Sequence, residues 1–419
     1  MEVLKMKQRL FSKDFTLVLI GQIISLFGNA MLRFALPLYL LNLTGSSMVY
    51  GTVTACAFIP PILLSPIGGM IADRVNKRNV MVVLDFFTAT LILVFSLLMH
   101  RVNLIVLLTV TLMLLYGIAS AYQPSVQASI PALVGQEHFM MANSMINTIS
   151  SFAFLIGPAL GGVWYSAYGI KPILWICMFC FLLSAVMELF INIPFEAQAL
   201  KGGIWKTVKM DFTESVRFIQ KEKPVIGKTL FVISGINLFL SAMIIVALPY
   251  LITEVFPFEA AQANRLYGYA QGTLAAGGLI GGICAGVFAR LLSIQKSGNL
   301  IILCAICIFP ISAILFGSSS GMLNYLVLTL CCFFIMACST IFTIQMMSFI
   351  QTETPQQMIG KVIAVILTVS MCAQPLGNAL YGILFDICKG FEALVVLFSG
   401  VVSLIIAISA RKIFKELSV

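Results

Sequence analysis

About twelve separate apolar blocks, each long enough to cross a bilayer, run through this chain from end to end. A hydrocarbon core ~30 Å thick takes ~20 residues of helix, at ~1.5 Å of rise each. Backbone groups in that layer must bond to one another, which leaves helices or closed barrels. Barrel strands are about 10 residues long and alternate in polarity. These blocks are longer and uniformly apolar, so helices are expected at 15–42, 48–72, 80–100, 103–133, 142–168, 172–194, 229–252, 266–289, 299–318, 322–350, 360–385 and 391–411. With 60% apolar and 10% charged residues and a mean hydropathy of +1.05, the chain would expose too much apolar surface in water.

The cations read as a topology signal. If the N-terminus lies inside, 20 of the 25 Lys and Arg residues fall on the inner side. Only Arg101, Lys171, Arg265 and Lys389 fall outside, and Arg33 alone stays within a helix. This bias places both termini in the cytoplasm, with an even number of crossings. The net charge of +9 therefore calls for anionic headgroups rather than nucleic acid. Met1 to Asp14 is polar and basic, and the first block is too long for a signal-peptide core, so no cleavable leader is expected.

The longest polar break, residues 195–228, holds Trp205, Val208, Phe212, Val216 and Ile219 at three- and four-residue spacing. That pattern predicts an amphipathic helix on the cytoplasmic membrane surface. It divides the chain into a six-helix bundle over 1–194, a linker over 195–228 and a second six-helix bundle over 229–419. The halves repeat weakly. Gly157-Pro158-Ala159-Leu160-Gly161-Gly162 and Gln374-Pro375-Leu376-Gly377 each lie one helix before the end of their half. The expected fold is all-α and integral to the membrane, with twelve transmembrane helices in two pseudo-symmetric bundles.

Enzyme chemistry finds little support. Eleven cysteines lie almost all in apolar blocks, where they act as small packing residues. The two histidines, His100 and His138, fall in loops, so no metal site or cofactor is expected. No H-E-x-x-H occurs, and there is no G-x-x-x-x-G-K-[ST] to hold ATP.

The turn after the second block reads Gly69-Met70-Ile71-Ala72-Asp73-Arg74-Val75-Asn76-Lys77-Arg78. It resembles the loop signature of the major facilitator superfamily, G-x-L-A-D-R-x-G-R-[KR], with Asn76 in place of a glycine. The resemblance makes Gly69, Asp73, Arg74, Lys77 and Arg78 a gating latch that pairs and releases as two lobes rock. Gly157, Pro158, Gly161 and Gly162, preceded by Ala153, are similar to the G-x-x-x-G-P-x-x-G-G element of the family's drug:proton antiporters. Small residues at that spacing also serve plain helix packing. Gly28-Asn29, Phe34-Ala35-Leu36-Pro37, Thr44-Gly45-Ser46-Ser47, Tyr122-Gln123-Pro124-Ser125 and Pro375-Leu376-Gly377 extend the likeness to the bacterial macrolide-efflux branch. Many members of that branch carry an acid where this chain has Asn29.

The resemblance implies a central cavity lined by the first, fourth, seventh and tenth helices, with the third, sixth, ninth and twelfth as braces. It implies a monomeric exporter of hydrophobic or amphipathic small molecules in a bacterial cytoplasmic membrane, driven by the proton gradient. Transport of a metabolite, siderophore or lipid is the alternative. The cavity candidates are Gln22, Asn29, Arg33, Gln123, Gln127, Asn237 and Gln345. A cation at a helix centre costs ~2.5–3.5 kcal/mol, so Arg33 needs protein or water around it. It either faces the cavity with Asn29 and Gln22, one and three turns away, or is held by helix-end carbonyls or snorkels outward. Two carboxylates lie in apolar blocks. Asp85 and Glu188 are candidate proton carriers, although Asp85 is also expected to pair with Arg74 or Arg78, and Glu188 to reach interfacial water.

Overall fold

The computed structural model describes residues 11–64, 76–135, 138–193, 204–287, 295, 297–317, 320–355 and 358–415. Among them are twelve helices long and apolar enough to cross a membrane. In chain order the spans are Lys13–Thr44, Ser47–Leu64, Lys77–Leu98, Leu104–Leu133, Met141–Tyr168, Ile170–Leu189, Pro224–Val255, Ala260–Val287, Ser297–Phe316, Gly321–Glu353, Lys361–Ile387 and Glu392–Phe414. Each of the twelve expected blocks forms a helix among its described residues, and the chain is a multi-pass membrane protein. Arg265, read as a loop cation, instead lies within the eighth span.

Local chemistry sets several of the ends. Asn76 accepts from the Arg78 N–H to start the third span, and Asn103 accepts from Ile105 and Val106 to start the fourth. Ser320 does the same for the tenth span through Leu323. These side chains satisfy donors that have no partner within the helix. Gly169 (φ 74°) joins the fifth span to the sixth, and Gly390 (φ 84°) joins the eleventh to the twelfth. Both take a left-handed backbone that a side chain would oppose.

Contacts group Met1–Leu40 with Cys56–Leu200, and Leu41–Ala55 with Lys201–Val419. In the first unit the third span packs along the sixth and the fourth. Phe15, Val18, Met81, Tyr122, Val126, Ile130, Ile146 and Ile191 form one buried cluster there. In the second unit the eighth span packs along the tenth, the ninth along the twelfth and the seventh along the eleventh. The start of the second span belongs to this unit, where Ser47 Oγ donates to the Gly382 carbonyl at 3.0 Å. The outward faces are apolar. Phe231 is 77% exposed and Ile387 76% exposed, which suits lipid and not water.

The seventh span is not a uniform α-helix. Asn237–Ser241 and Leu251–Val255 are π-helical, and Phe218–Glu222 just before the span is as well. Its first turn begins at Pro224, inside the segment expected to be linker. The surface helix forms at Ile204–Arg217, but the apolar residues at its end do not face lipid. Val216, Phe218 and Ile219 pack on Ile226, Ile350, Val362, Val365 and Ile366 at the ends of the seventh, tenth and eleventh spans. Ion pairs of Lys361 with Glu214 (2.9 Å) and of Lys223 with Glu353 (2.6 Å) flank the contact.

Backbone contact between the eighth and tenth spans depends on two glycines. A methyl group at Gly277 would overlap the Phe333 carbonyl, and one at Gly281 the Ala337 carbonyl. At Gly282 and Gly286 the same methyl would meet open space. Overpacking costs about 1–3 kcal/mol. Gly281→Val is therefore expected to lower the thermal unfolding midpoint of the detergent-solubilised protein by several degrees, while Gly282→Ala leaves it within error.

Candidate functional site

The site begins where the fifth span crosses the first. A Cβ at Gly157 would lie 2.5 Å from Ala30 Cβ, and one at Gly161 3.0 Å from Phe34 Cδ1. The absence of side chains at 157 and 161 lets the fifth span, which carries Pro158, seat against Ala30 and Phe34. Gly162 is buried beside them. This crossing leaves the adjacent stripe of the first span, Asn29 and Arg33, on a cavity of about 290 Å³ within the first unit. Gln123 and Gln127 line it from the fourth span, Asn147 and Phe154 from the fifth.

Arg33 lies over a ring. Its guanidinium carbon is 3.9 Å from the centroid of Tyr116. A cation–π contact supplies about 0.5–2 kcal/mol, less than a buried charge needs. Arg33 Nε is buried without a hydrogen-bond partner, and so is Asn29 Oδ1. Among the described residues no carboxylate pairs with Arg33. Helix-end carbonyls do not hold it either.

Gln22 sits three turns below Arg33, fully buried, and enters a second polar group. Its Nε2 donates to the Tyr122 hydroxyl at 2.9 Å, and that hydroxyl donates to Glu188 Oε1 at 2.7 Å. Ser25 Oγ donates to Asp85 Oδ1 at 3.1 Å. Ser184 Oγ donates to the Gly21 carbonyl at 3.2 Å, tying the sixth span to the first. Asp85 is 2% exposed and Glu188 0% exposed, so the expectation that Glu188 reaches water is wrong. The second oxygens, Asp85 Oδ2 and Glu188 Oε2, have no partner, nor has Gln22 Oε1. Tyr122 and Ser25 belong to this group and also line the cavity.

Asp85 does not pair with Arg78. The Arg78 guanidinium instead donates to the carbonyls of Glu188 and Leu189, capping the end of the sixth span. A cation there satisfies terminal carbonyls and suits the negative end of the helix dipole. Lys77 begins the third span. Gly69, Asp73 and Arg74, and with them most of the expected latch, lie outside the described residues.

The two candidates in the second unit are engaged elsewhere. Asn237 Nδ2 donates to the Ser370 carbonyl at 3.0 Å, from the first residue of a π-helical turn. Gln345 Oε1 accepts from Ser297 Oγ at 2.7 Å, which links the tenth span to the ninth. Sequence reading missed Tyr116, Ser25 and Ser184 as partners, because a tyrosine or serine in an apolar helix carries no mark of what it will meet.

Comparison with known proteins agrees with this architecture. Residues 18–378 match the model of the Major Facilitator Superfamily. Macrolide efflux protein A of Streptococcus pyogenes is 21% identical over 369 residues, covering 87% of this chain and 88% of that protein. The multidrug efflux pump Tap of Mycolicibacterium fortuitum is 22% identical over 379 residues, covering 88% of each. The nucleoside transporter NupG superposes with a TM-score of 0.73 at 14% identity, over 95% of this chain and 99% of that one. A bacterial homologue of the iron transporter ferroportin, in its inward-facing state, gives 0.72 at 18% identity, over 96% and 100%. With twelve membrane helices and a family match over most of its length, the chain belongs to the Major Facilitator Superfamily and is a membrane transporter.

Proposed function

We propose that this transporter exports hydrophobic or amphipathic small molecules from the cytoplasm by alternating access, driven by the proton gradient. The observation that carries the reading is the cavity of about 290 Å³, where the amides of Asn29, Gln123, Gln127 and Asn147 face the aromatic wall of Phe154. Uncharged amides beside apolar surface give a few directional contacts and a tolerant remainder, which suits amphipathic ligands better than small ions. The volume is near the lower end of the usual range for drug-sized ligands, roughly 300–1,000 Å³. The names of the macrolide and multidrug efflux relatives support export of this class. The charge bias of the loops supports a cytoplasmic-membrane setting with both termini inside.

In this reading Asp85 and Glu188 carry the proton. They are buried carboxyl groups with hydrogen-bond capacity left over, on a network that reaches the cavity wall at Tyr122. Asn29, Arg33, Gln123 and Gln127 serve the substrate path and Gln22 belongs to the carboxylate network, while Asn237 and Gln345 are retained on the helices that the family resemblance assigns to the path. Lys77 and Arg78 border the gating turn, and Gly157, Pro158, Gly161 and Gly162 set the helix crossing.

Expression in a pump-deficient host is expected to raise tolerance to a subset of a panel containing macrolides and dyes, and an uncoupler is expected to abolish the gain. No change across the panel would remove the export reading. Arg33→Ala is expected to reduce that gain more than Lys209→Ala, scored on the same panel.

The coupling assignment has its own check in proteoliposomes. Asp85→Asn or Glu188→Gln is expected to abolish uphill transport driven by a pH gradient while substrate exchange at equal pH continues. If both variants keep wild-type uphill transport, these carboxylates are not the carriers.

A further inference from the structure

We propose that the substrate is an amphipathic carboxylate, with its acid group bound edge-on by Arg33 and its apolar body against Phe154 and Leu26. The inference rests on the transport reading and narrows it to one charge class. It starts from the charge content of the cavity. Among the residues that line it, Arg33 is the one cation, and Asp and Glu are absent. The described part of the protein supplies no carboxylate to Arg33, and Arg33 Nε is buried without a hydrogen-bond partner. Placing a cation in a membrane helix costs ~2.5–3.5 kcal/mol even on the mildest scale. The ring of Tyr116 recovers part of that, with its centroid 3.9 Å from the guanidinium carbon.

A ring contact supplies no hydrogen-bond acceptor, and Arg33 Nε finds none elsewhere, so donor capacity is left over. The edge of a guanidinium is a planar fork of N–H donors that matches the two oxygens of a carboxylate. Tyr116 therefore holds the plane of Arg33 and costs it no donors. A single positive charge matches a monoanion. A phosphate dianion would leave a second negative charge unanswered, since the other polar groups of the lining are amides and hydroxyls. Those amides, on Asn29, Gln123, Gln127 and Asn147, add neutral donors around the acid. A cationic amphiphile in the same space would meet the charge of Arg33 with no carboxylate among the lining side chains to offset it.

The test compares two probes of one shape, 1-naphthoate and 1-naphthylmethylammonium, by titration calorimetry on the purified full-length transporter in detergent. Wild type is expected to bind the carboxylate at least ~tenfold more tightly than the ammonium, as a charge-assisted pair implies. Arg33→Gln is expected to erase that preference, and Arg33→Lys to keep part of it, since lysine supplies charge without the fork. Equal affinity for the two probes in wild type, or preference for the ammonium, overturns the proposal without recourse to any variant. So does an Arg33→Gln protein that folds and still prefers the carboxylate. Binding of this kind without movement of either probe in proteoliposomes would instead count against export and leave the charge assignment standing.

Discussion

Hydrocarbon offers no hydrogen bonds, so each polar side chain that this protein carries into the membrane must be answered from within the protein or by what it transports. The first unit meets that demand in two ways. Gln22, Tyr122 and Glu188 close on one another, and Ser25 answers Asp85, on side chains from the first, third, fourth and sixth spans. Three turns along the first span, Arg33 is answered by the ring of Tyr116. Both arrangements hang on the same helix. They differ in that the lower group is sealed and the upper one opens on a cavity.

Helix approach decides which of the two a residue joins. Gly157 and Gly161 bring the fifth span onto Ala30 and Phe34, which fixes the rotation of the first span and so the direction of Asn29 and Arg33. Larger residues at 157 or 161 would force that helix away or turn it. In the second unit, backbone carbonyls take the role that side chains play in the first. Asn237 reaches Ser370 O, Ser399 reaches Phe239 O at 2.6 Å and Ser312 reaches Ala393 O at 2.9 Å. Bonds of this kind tie helix to helix, while Thr229, Ser234, Thr329, Gln345, Ser370, Asn378, Tyr381 and Ser403 each keep a buried polar atom without a partner.

The fold was readable because twelve apolar blocks and a lopsided distribution of cations admit few alternatives. The stripe of Asn29 and Arg33, and that of Gln123 and Gln127, were readable because a four-residue interval places polar groups on one helix face. What joins them was not. Asp85 and Glu188 lie 103 positions apart on two helices, and their inclusion with Gln22 in one network depends on how the third and sixth spans pack. The π-helical turns of the seventh span left no trace in composition: Asn237–Ser241 packs on the eleventh span, where Gly377 would clash with Ala242 if it bore a side chain, and Leu251–Val255 packs on the eighth. Val216 and Ile219 had a pattern that fits a lipid surface or a protein surface equally, and only the neighbouring span ends decide between them.

Tyr122 is where the sealed group and the open cavity meet, and its one hydroxyl proton gives the meeting a direction. Its oxygen accepts from Gln22, and its proton goes to Glu188 Oε1. A Glu188 that gains a proton becomes able to donate in return, and the hydroxyl of Tyr122, with its oxygen then doubly engaged, is free to turn its own proton toward the cavity it lines. A ligand acceptor at that wall would be favoured by the protonated carboxyl and disfavoured by the ionised one. By the reciprocity of linked equilibria, such a ligand would also hold the proton on Glu188 more firmly. If Glu188 carries the proton as proposed, this hydrogen-bond geometry gives proton occupancy and cavity occupancy a local route to influence each other, with no helix movement required for the first step.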